Sequence, residues 1–527
     1  MWCGTRAFRW GRSVEAIEMT GETYDYAVVG AGSAGCVVAR RLVEQGADVV
    51  LLEAGAPDEE HEEVISTPAR FPELFRTETD WEYYTEPQPE MNDRRLYHPR
   101  GKTLGGSSSL NAMIYNRGVP WDYDNWAAMG NEGWDHDAML DAFKRSEDFV
   151  GTGDEEFHGE GGPLTVADLS DPHPTSEAFV EAAVECGMER NVDINGRSQT
   201  GAGLYHVTQR DGKRCSSAAA FIKPVLDHEG LTVETRAHVT DIRFDDANRA
   251  VGVDYEIDGE THRVDVADEV VLSAGAYDSP QLLMCSGVGP ADHLREHGID
   301  VVADSPGVGR NLQDHLFAFV VYDRTDDEPP APTSNIGEGA GYTYVDDGEP
   351  APDLQFHFCP TYYMNHGFDN PEGLGFSIGS TQLRPESRGR VALASADPTD
   401  DPVIDPRYLS AEPDLEVLRE GIKRAREIAQ SEALDSVRGE EVWPGEDVQT
   451  DAEIEEHVRE TAHTVYHPVG TCRMGDDESA VVDDRLRVRG VDGVRVADTS
   501  VMPNIPSGNT NAPAIAVGER AASMIGD

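Results

Sequence analysis

Three stretches of this 527-residue chain carry residue types at spacings that chemistry can use. The first is Gly30-Ala31-Gly32-Ser33-Ala34-Gly35, with Glu53 eighteen residues beyond it. Gly30 allows a tight turn, Gly32 lets the backbone approach a pyrophosphate, and Gly35 lets a helix pack closely on a sheet. Glu53 is placed to accept hydrogen bonds from the hydroxyls of a ribose. The second stretch, Gly101 to Asn111, sets Gly105, Gly106 and three serines between apolar flanks, which suits backbone approach to a planar ligand. The third runs from His463 through His467 to Pro513. In it Asp498 ends a strand before a Pro-rich turn and a helix start, a second place to hold polyol hydroxyls or a flavin ring edge. Two other patterns fail on inspection. His463 and His467 are four apart, but a zinc-protease helix needs Glu at 464, which is Thr, and Pro468 would break that helix. Gly375-Phe-Ser377-Ile-Gly379 spells a hydrolase elbow, but a strand-like pattern follows where a helix is required.

These residues need elements to hold them. Tyr24 to Val29 reads as a buried strand, Ser33 to Gln45 as a helix stopped by Gly46, and Ala47 to Leu52 as a second strand. A dinucleotide site follows, though the motif alone does not separate FAD from NAD. Residues 55 to 100 are polar and Pro-rich and read as a surface excursion with little regular structure. Trp121, Trp126 and Trp134 sit at helical spacing near Met139, Leu140 and Phe143 and read as core. Four runs, Leu231–Thr235, Val239–Phe244, Val251–Ile257 and His262–Val266, alternate as a β-meander. A buried strand, Ala267 to Ser273, then runs into the small residues Ala274-Gly275-Ala276, at the strand end where α/β sheets place ligands. Residues 318 to 460 read as an antiparallel sheet backed by helices over 414–430 and 451–461.

Composition limits the function. Asp plus Glu total 99 against 43 Lys plus Arg, a formal net charge of −56, and lysine occurs five times. Such self-repulsion destabilises a compact state unless salt screens it; at molar salt the Debye length falls to about 3 Å. The expectation is a protein of a salt-rich cytoplasm. An acidic surface disfavours nucleic acid and anionic membranes. No run of 18 apolar residues occurs, so no transmembrane helix is expected. Seven scattered cysteines without a CxxC read as reduced thiols, and no metal site is expected. Residues 1 to 22, with Arg6, Arg9 and Arg12, fit nothing downstream and read as an extension, disordered, with Met19 as the natural start.

Together the motifs resemble the glucose–methanol–choline (GMC) family of flavin-dependent alcohol oxidoreductases. The matches are Gly30 to Gly35 with Glu53, Gly101 to Asn111, Gly275 to Gly289, Val308 to His315, and His467 through Pro513. The resemblance implies an α/β fold with a Rossmann-like FAD-binding domain (23–160, 203–316 and 461–527) and a substrate domain built on an antiparallel sheet (161–202 and 317–460). It implies FAD contacts from Gly30, Gly32, Ser33, Ala34, Gly35, Glu53, Ala54, Val239 and Ala274. Gly105, Ser109, Asn111 and Ala112 would line the flavin; Asp498, Asn509 and Thr510 would contact ribitol or flavin. His467 matches the family's active-site histidine, and Asn509 a second position that is His or Asn. Some members bind FAD covalently through a histidine where this chain has Leu110, so the expectation is non-covalent FAD.

The implied reaction oxidises a primary alcohol by hydride transfer to flavin N5, with His467 as base or alkoxide stabiliser and Asn509 beside it. The partners are then a small alcohol and an electron acceptor, either O₂ or a quinone-type carrier; dehydrogenase is preferred to oxidase, and a homo-oligomer is compatible with the chain. Choline is one substrate reading, with Trp81, Tyr83, Tyr362 and Tyr363 as candidate aromatic walls. A hydroxynitrile lyase that keeps FAD structurally is the alternative from another class, and a non-catalytic flavoprotein a third.

Overall fold

The structure, a computed structural model, describes residues 23–346 and 348–526. The reading of residues 1–22 lies outside them. Two sheets organise the chain. In the first, Leu231–Thr235, Val49–Glu53, Thr23–Val29 and Glu260–Leu272 lie side by side and parallel. Val494–Val496 adds to Glu260–Leu272, also parallel. Ala250–Ile257 and His238–Phe244 continue the sheet antiparallel. Val49–Glu53 is buried at every position, as parallel strands covered on both faces must be.

Two sequence expectations change here. Leu231–Thr235 is not part of the meander; it is the edge strand beside Val49–Glu53. The separate strands expected at 262–266 and 267–273 are one, Glu260–Leu272. Its first half closes the meander and its second half pairs with Thr23–Val29, so a single strand joins the two halves of the sheet.

The helix Ser33–Glu44 packs through Cys36, Val37, Val38, Leu42 and Val43, the apolar stripe that its 3.6-residue period predicts. The final helix, Asn511–Ile525, lies against it. Glu519, fully buried on that helix, is held by Arg41 at 2.7 Å.

The second sheet runs in the order Arg438–Trp443, Leu316–Arg324, Gly375–Gln382, Leu354–Cys359, Gly339–Thr343, Gly201–Leu204. All its pairs are antiparallel. Gly201–Leu204 and His463–Thr464 join it, a few residues across the domain boundaries read from sequence. Ser377 sits within a strand, not at an elbow. In Leu316–Arg324 the period of two divides the side chains: Leu316, Ala318, Val320 and Tyr322 pack under the helix Glu412–Ala429, while Phe317, Phe319 and Val321 face the other way, toward Phe71, Phe75 and Tyr363. Phe71 and Phe75 come from the excursion after Gly55, which carries short helical turns at Asp58–His61, Glu62–Ser66 and Pro68–Leu74 rather than plain loop.

Glycine packing generates a prediction. A Cβ on Gly35 would overlap the Gly30 carbonyl oxygen, whereas Gly46 (φ +91°) has open space around it. Gly46→Ala meets only the left-handed backbone cost, about 1–2 kcal/mol. Gly35 sits in the helix at no positive φ and escapes that cost, but its Cβ would lie 1.9 Å from a main-chain oxygen that cannot swing aside, so Gly35→Ala must push the helix off the turn, overpacking of about 1–3 kcal/mol or more. Thermal melts in the presence of FAD should rank Gly35→Ala clearly below Gly46→Ala; equal melting temperatures would show that the turn yields.

Candidate active site

Two cavities meet between the sheets. The first is lined by Gly30, Gly32, Ser33, Ala34, Glu53, Ala54, Val239, Ala274 and Asp498 among others. The second is lined by Asn111, Ala112, His467, Asn509 and Thr510 among others. Ser33, Arg100, Gly101, Ser107, Thr499 and Ala514 line both, so one cavity opens into the other.

The first cavity suits an anionic dinucleotide. The helix Ser33–Glu44 begins there with no side-chain cap and no acid in its first turn, leaving its first N–H groups for a ligand. The helix Asn511–Ile525 begins at the waist between the cavities in the same uncapped state. Gly106 lies so close to the turn that a Cβ on it would come 2.7 Å from the Gly32 Cα. Glu53 accepts N–H groups from Ala31 and Gly55, both at 2.9 Å. Burial pushes its carboxyl up to about 7, the two N–H groups pulling against that shift. Each oxygen keeps a lone pair for a hydroxyl. Asp498 accepts from the Gly275 N–H (2.9 Å), the Ser279 hydroxyl (2.6 Å) and the Ser500 N–H (2.8 Å), so it ties the helix start at Gly275 to the C-terminal segment.

Three expected contacts have other roles. Gly35 packs the helix onto Gly30 and lines neither cavity. Gly105, at φ +93°, donates its N–H to Ala31 O (2.8 Å). Ser109 is fully buried and donates to Leu104 O (2.8 Å). The tight turn directs both inward, so Gly105 and Ser109 shape the loop and do not line the cavity. Of the proposed aromatic walls, Trp81 and Tyr83 line the first cavity, Tyr362 lines neither, and Tyr363 alone lines the second.

In the second cavity His467 Nε2 lies 3.1 Å from Asn509 Nδ2, and His467 Nδ1 3.0 Å from Nδ1 of His315. The backbone N–H of His467 donates to Asp314 Oδ1 (2.8 Å). Asp314 also accepts from the hydroxyls of Thr464 (2.6 Å) and Tyr408. The preceding residue, Tyr466, has φ +71°, a strained backbone for an aromatic residue. Its carbonyl accepts from Arg100 (2.7 Å) and its N–H donates to Thr464 Oγ1 (2.7 Å), so the strain is held in place. Burial, then the neighbouring His315, His357 and Arg100, holds His467 well below the ordinary imidazole value. His357, pushed down to about 3 by burial, also lines this cavity, and its Nε2 has no protein partner.

Arg100, Phe71, Phe75, Phe317, His357 and Tyr466 were missed as lining residues. One signal was present: in Leu354–Cys359 the period of two puts Gln355, His357 and Cys359 on one face, opposite Leu354, Phe356 and Phe358. Leu110 lines the same cavity. Away from both cavities, His158, Asp193 and His206 bring ligand atoms within 4.8 Å of one another. His158 uses its two nitrogens on Glu147 and Asp193, each 3.2 Å away; burial lowers its pKa, but these bonds win and raise it.

The comparisons agree with this architecture. Residues 24–317 and 385–518 match the N- and C-terminal models of GMC oxidoreductases. An alcohol dehydrogenase [acceptor] of Pseudomonas putida is 43% identical over 529 residues, covering 95% of each chain. Human mitochondrial choline dehydrogenase is 42% identical, over 96% of this chain and 90% of its own. The solved structure of a pyridoxine 4-oxidase from Mesorbium loti aligns with a TM-score of 0.89 at 33% identity, over 95% of this chain and 98% of that one. With more than half its length matched by the family model, and relatives above 40% identity along nearly all of it, the chain belongs to the GMC oxidoreductase family.

Proposed function

We propose that this protein is an FAD-dependent oxidoreductase that oxidises an uncharged primary alcohol to the aldehyde, with His467 and Asn509 as the residues that handle the hydroxyl. The observation that carries the reading is the pairing of His467 Nε2 with Asn509 Nδ2, 3.1 Å apart, in an apolar cavity that opens into the dinucleotide cradle. FAD, when bound, supplies the acceptor for the carbinol hydrogen and its electron pair. Gly30, Gly32, Ser33, Ala34, Glu53, Ala54, Val239, Ala274 and Asp498 would hold its dinucleotide part. Asn111, Ala112, Asn509 and Thr510 would lie at its ring end. Leu110 at the cavity wall offers no nucleophile, which supports non-covalent attachment.

The residues of the chain do the acid–base work. A substrate hydroxyl set between His467 and Asn509 gives its proton to His467 Nε2, and the Asn509 Nδ2–H steadies the oxygen as charge develops on it. The aldehyde forms as the carbinol C–H bond breaks and the C–O bond becomes double. The walls of Phe71, Phe75, Phe317, Ile336 and Val465 exclude water, which strengthens both contacts. Reoxidation of the flavin by a carrier, the dehydrogenase reading, is preferred to reoxidation by O₂, the oxidase reading. The charge of −56 supports work in a concentrated-salt interior.

Choline is the second reading, because choline dehydrogenases are among the relatives. The cavity argues against it. No Asp or Glu is among its lining residues, while Arg100 is. A trimethylammonium group would meet a cation and no counter-charge.

Four outcomes follow. Under anaerobic conditions in molar KCl, a primary alcohol should bleach the visible flavin band. His467→Ala should retain the flavin spectrum and slow bleaching by about 10²–10⁴-fold, the usual contribution of a positioned base; an unslowed variant sinks the assignment. The base must be neutral to act, and its pKa is lowered, so kcat/KM should stay flat across neutral pH and fall only below the ordinary imidazole value of about 6.5. A limb above that value would refute the lowered pKa. Across an alcohol panel, benzyl or hexyl alcohol should exceed choline in kcat/KM by at least about tenfold (1.4 kcal/mol); choline as the best substrate would reverse the choice.

A further inference from the structure

His315 lines neither cavity, yet it touches the residue that does. Its Nε2 lies 3.0 Å from the carbonyl oxygen of Leu383, and its Nδ1 lies 3.0 Å from Nδ1 of His467. A carbonyl oxygen only accepts, so His315 Nε2 carries a hydrogen. The ring is fully buried, and burial pushes its pKa down to about 4, so it is neutral at pH 7. The adjacent Asp314 does not offset this, because its carboxylate is turned to Thr464, Tyr408 and the His467 N–H. A neutral imidazole has one N–H, which leaves Nδ1 of His315 as a bare lone pair.

That lone pair decides the state of the next ring. Two bare nitrogens 3.0 Å apart repel, so His467 Nδ1 carries the hydrogen and donates it. His467 is held neutral as well, so its Nε2 is bare. The amide of Asn509 fits this state: its Oδ1 accepts from Gln355 Nε2 (3.3 Å), and its Nδ2 faces His467 Nε2. The other tautomer would set bare Nδ1 against bare Nδ1, and N–H against N–H at Asn509. We propose that His315 is a positioning residue that transmits the direction of the Leu383 carbonyl to His467 and so keeps the basic nitrogen of His467 facing the substrate cavity.

Leu383 follows the strand Gly375–Gln382, and its own N–H is fixed on Asp353 O (2.8 Å). The anchor of the relay is therefore backbone of the second sheet, on which no protonation state depends. The groups facing His467 from the packed elements are His315, His357 and Arg100, with Asp314 on its N–H; none is a carboxylate placed to take a proton from Nε2.

The inference rests on the reading that His467 takes the hydroxyl proton, and a readout other than turnover separates the two. In flavin-loaded enzyme carrying ¹⁵N-histidine, the His467 signal, assigned by its loss in His467→Asn, should show a hydrogen on Nδ1 and none on Nε2. A hydrogen on Nε2 would overturn the proposal. His315→Leu removes the acceptor and should mix the tautomers. It should slow flavin reduction by an alcohol at least about 100-fold, with substrate affinity changed less than threefold (about the spread of a uniform binding effect). His315→Asn returns an amide oxygen near the Nδ1 position and should recover the rate to within about tenfold of wild type. A His315→Leu enzyme as fast as wild type would overturn the proposal. Should that variant lose its flavin, the wild-type spectrum and His315→Asn still decide. A bare Nε2 in an enzyme that His467→Ala does not slow would support the tautomer assignment while removing the base role from His467.

Discussion

The structure depends on backbone packing directly against backbone. The turn 30–35, Gly55 and the loop 101–106 approach so closely that Cβ atoms at Gly55 or Gly106 would meet main-chain atoms of a neighbouring segment, and Cβ atoms at Gly35 or Gly101 those of their own turn. No side chain intervenes there, so that part of the first cavity's surface is backbone and the start of the helix Ser33–Glu44. This contact also brings Arg100, Gly101 and Ser107 to the wall shared with the second cavity. The two cavities are thus fixed in place by the same glycines.

Desolvation shapes the reacting end. His98, His315, His357, His463 and His467 are all buried and all held below the ordinary imidazole value, burial being the largest cause each time. In a protein with 99 acidic residues, none of the residues lining the second cavity is Asp or Glu. The acid closest to the chemistry, Asp314, has its oxygens engaged by Thr464, Tyr408 and the His467 N–H, and burial raises its pKa to about 6. The site therefore keeps its imidazoles neutral and sets only the Asn509 amide, a neutral donor, against the lone pair of His467.

What could be read from the sequence was whatever contiguous residues encode. Gly30, Gly32, Gly35 and Glu53 form one local unit, and the alternation in Leu354–Cys359 and Gly375–Gln382 marks strands without further help. The face of a residue in an irregular loop was not readable. Gly105 and Ser109 turn inward because the loop is tighter than its composition indicates. Trp81 and Tyr83 lie at the dinucleotide end, where Trp81 stacks on Tyr83 and Tyr83 donates to Asp278 (2.6 Å). Phe71 and Phe75 reach the second cavity from a Pro-rich segment with no strong period. Leu231–Thr235 looked like a meander strand because alternation identifies a strand and says nothing of its partner.

The position of His467 follows from its segment serving both sheets. His463–Thr464 pairs with Leu316 and Phe317 in the second sheet, and Val494–Val496 pairs with Glu260–Leu272 in the first. His467 lies in the chain between these anchors. Its N–H is fixed by Asp314 and its ring by His315, neighbours that immediately precede the strand Leu316–Arg324. Asn509 sits on the far side, just before the helix that packs on Ser33–Glu44 of the first domain. The His467–Asn509 pair, proposed to handle the hydroxyl, is thus assembled from both halves of the molecule. A shift of one sheet against the other would carry His467 and its anchor at Leu383 together and part them from Asn509, so the geometry of the pair depends on that docking.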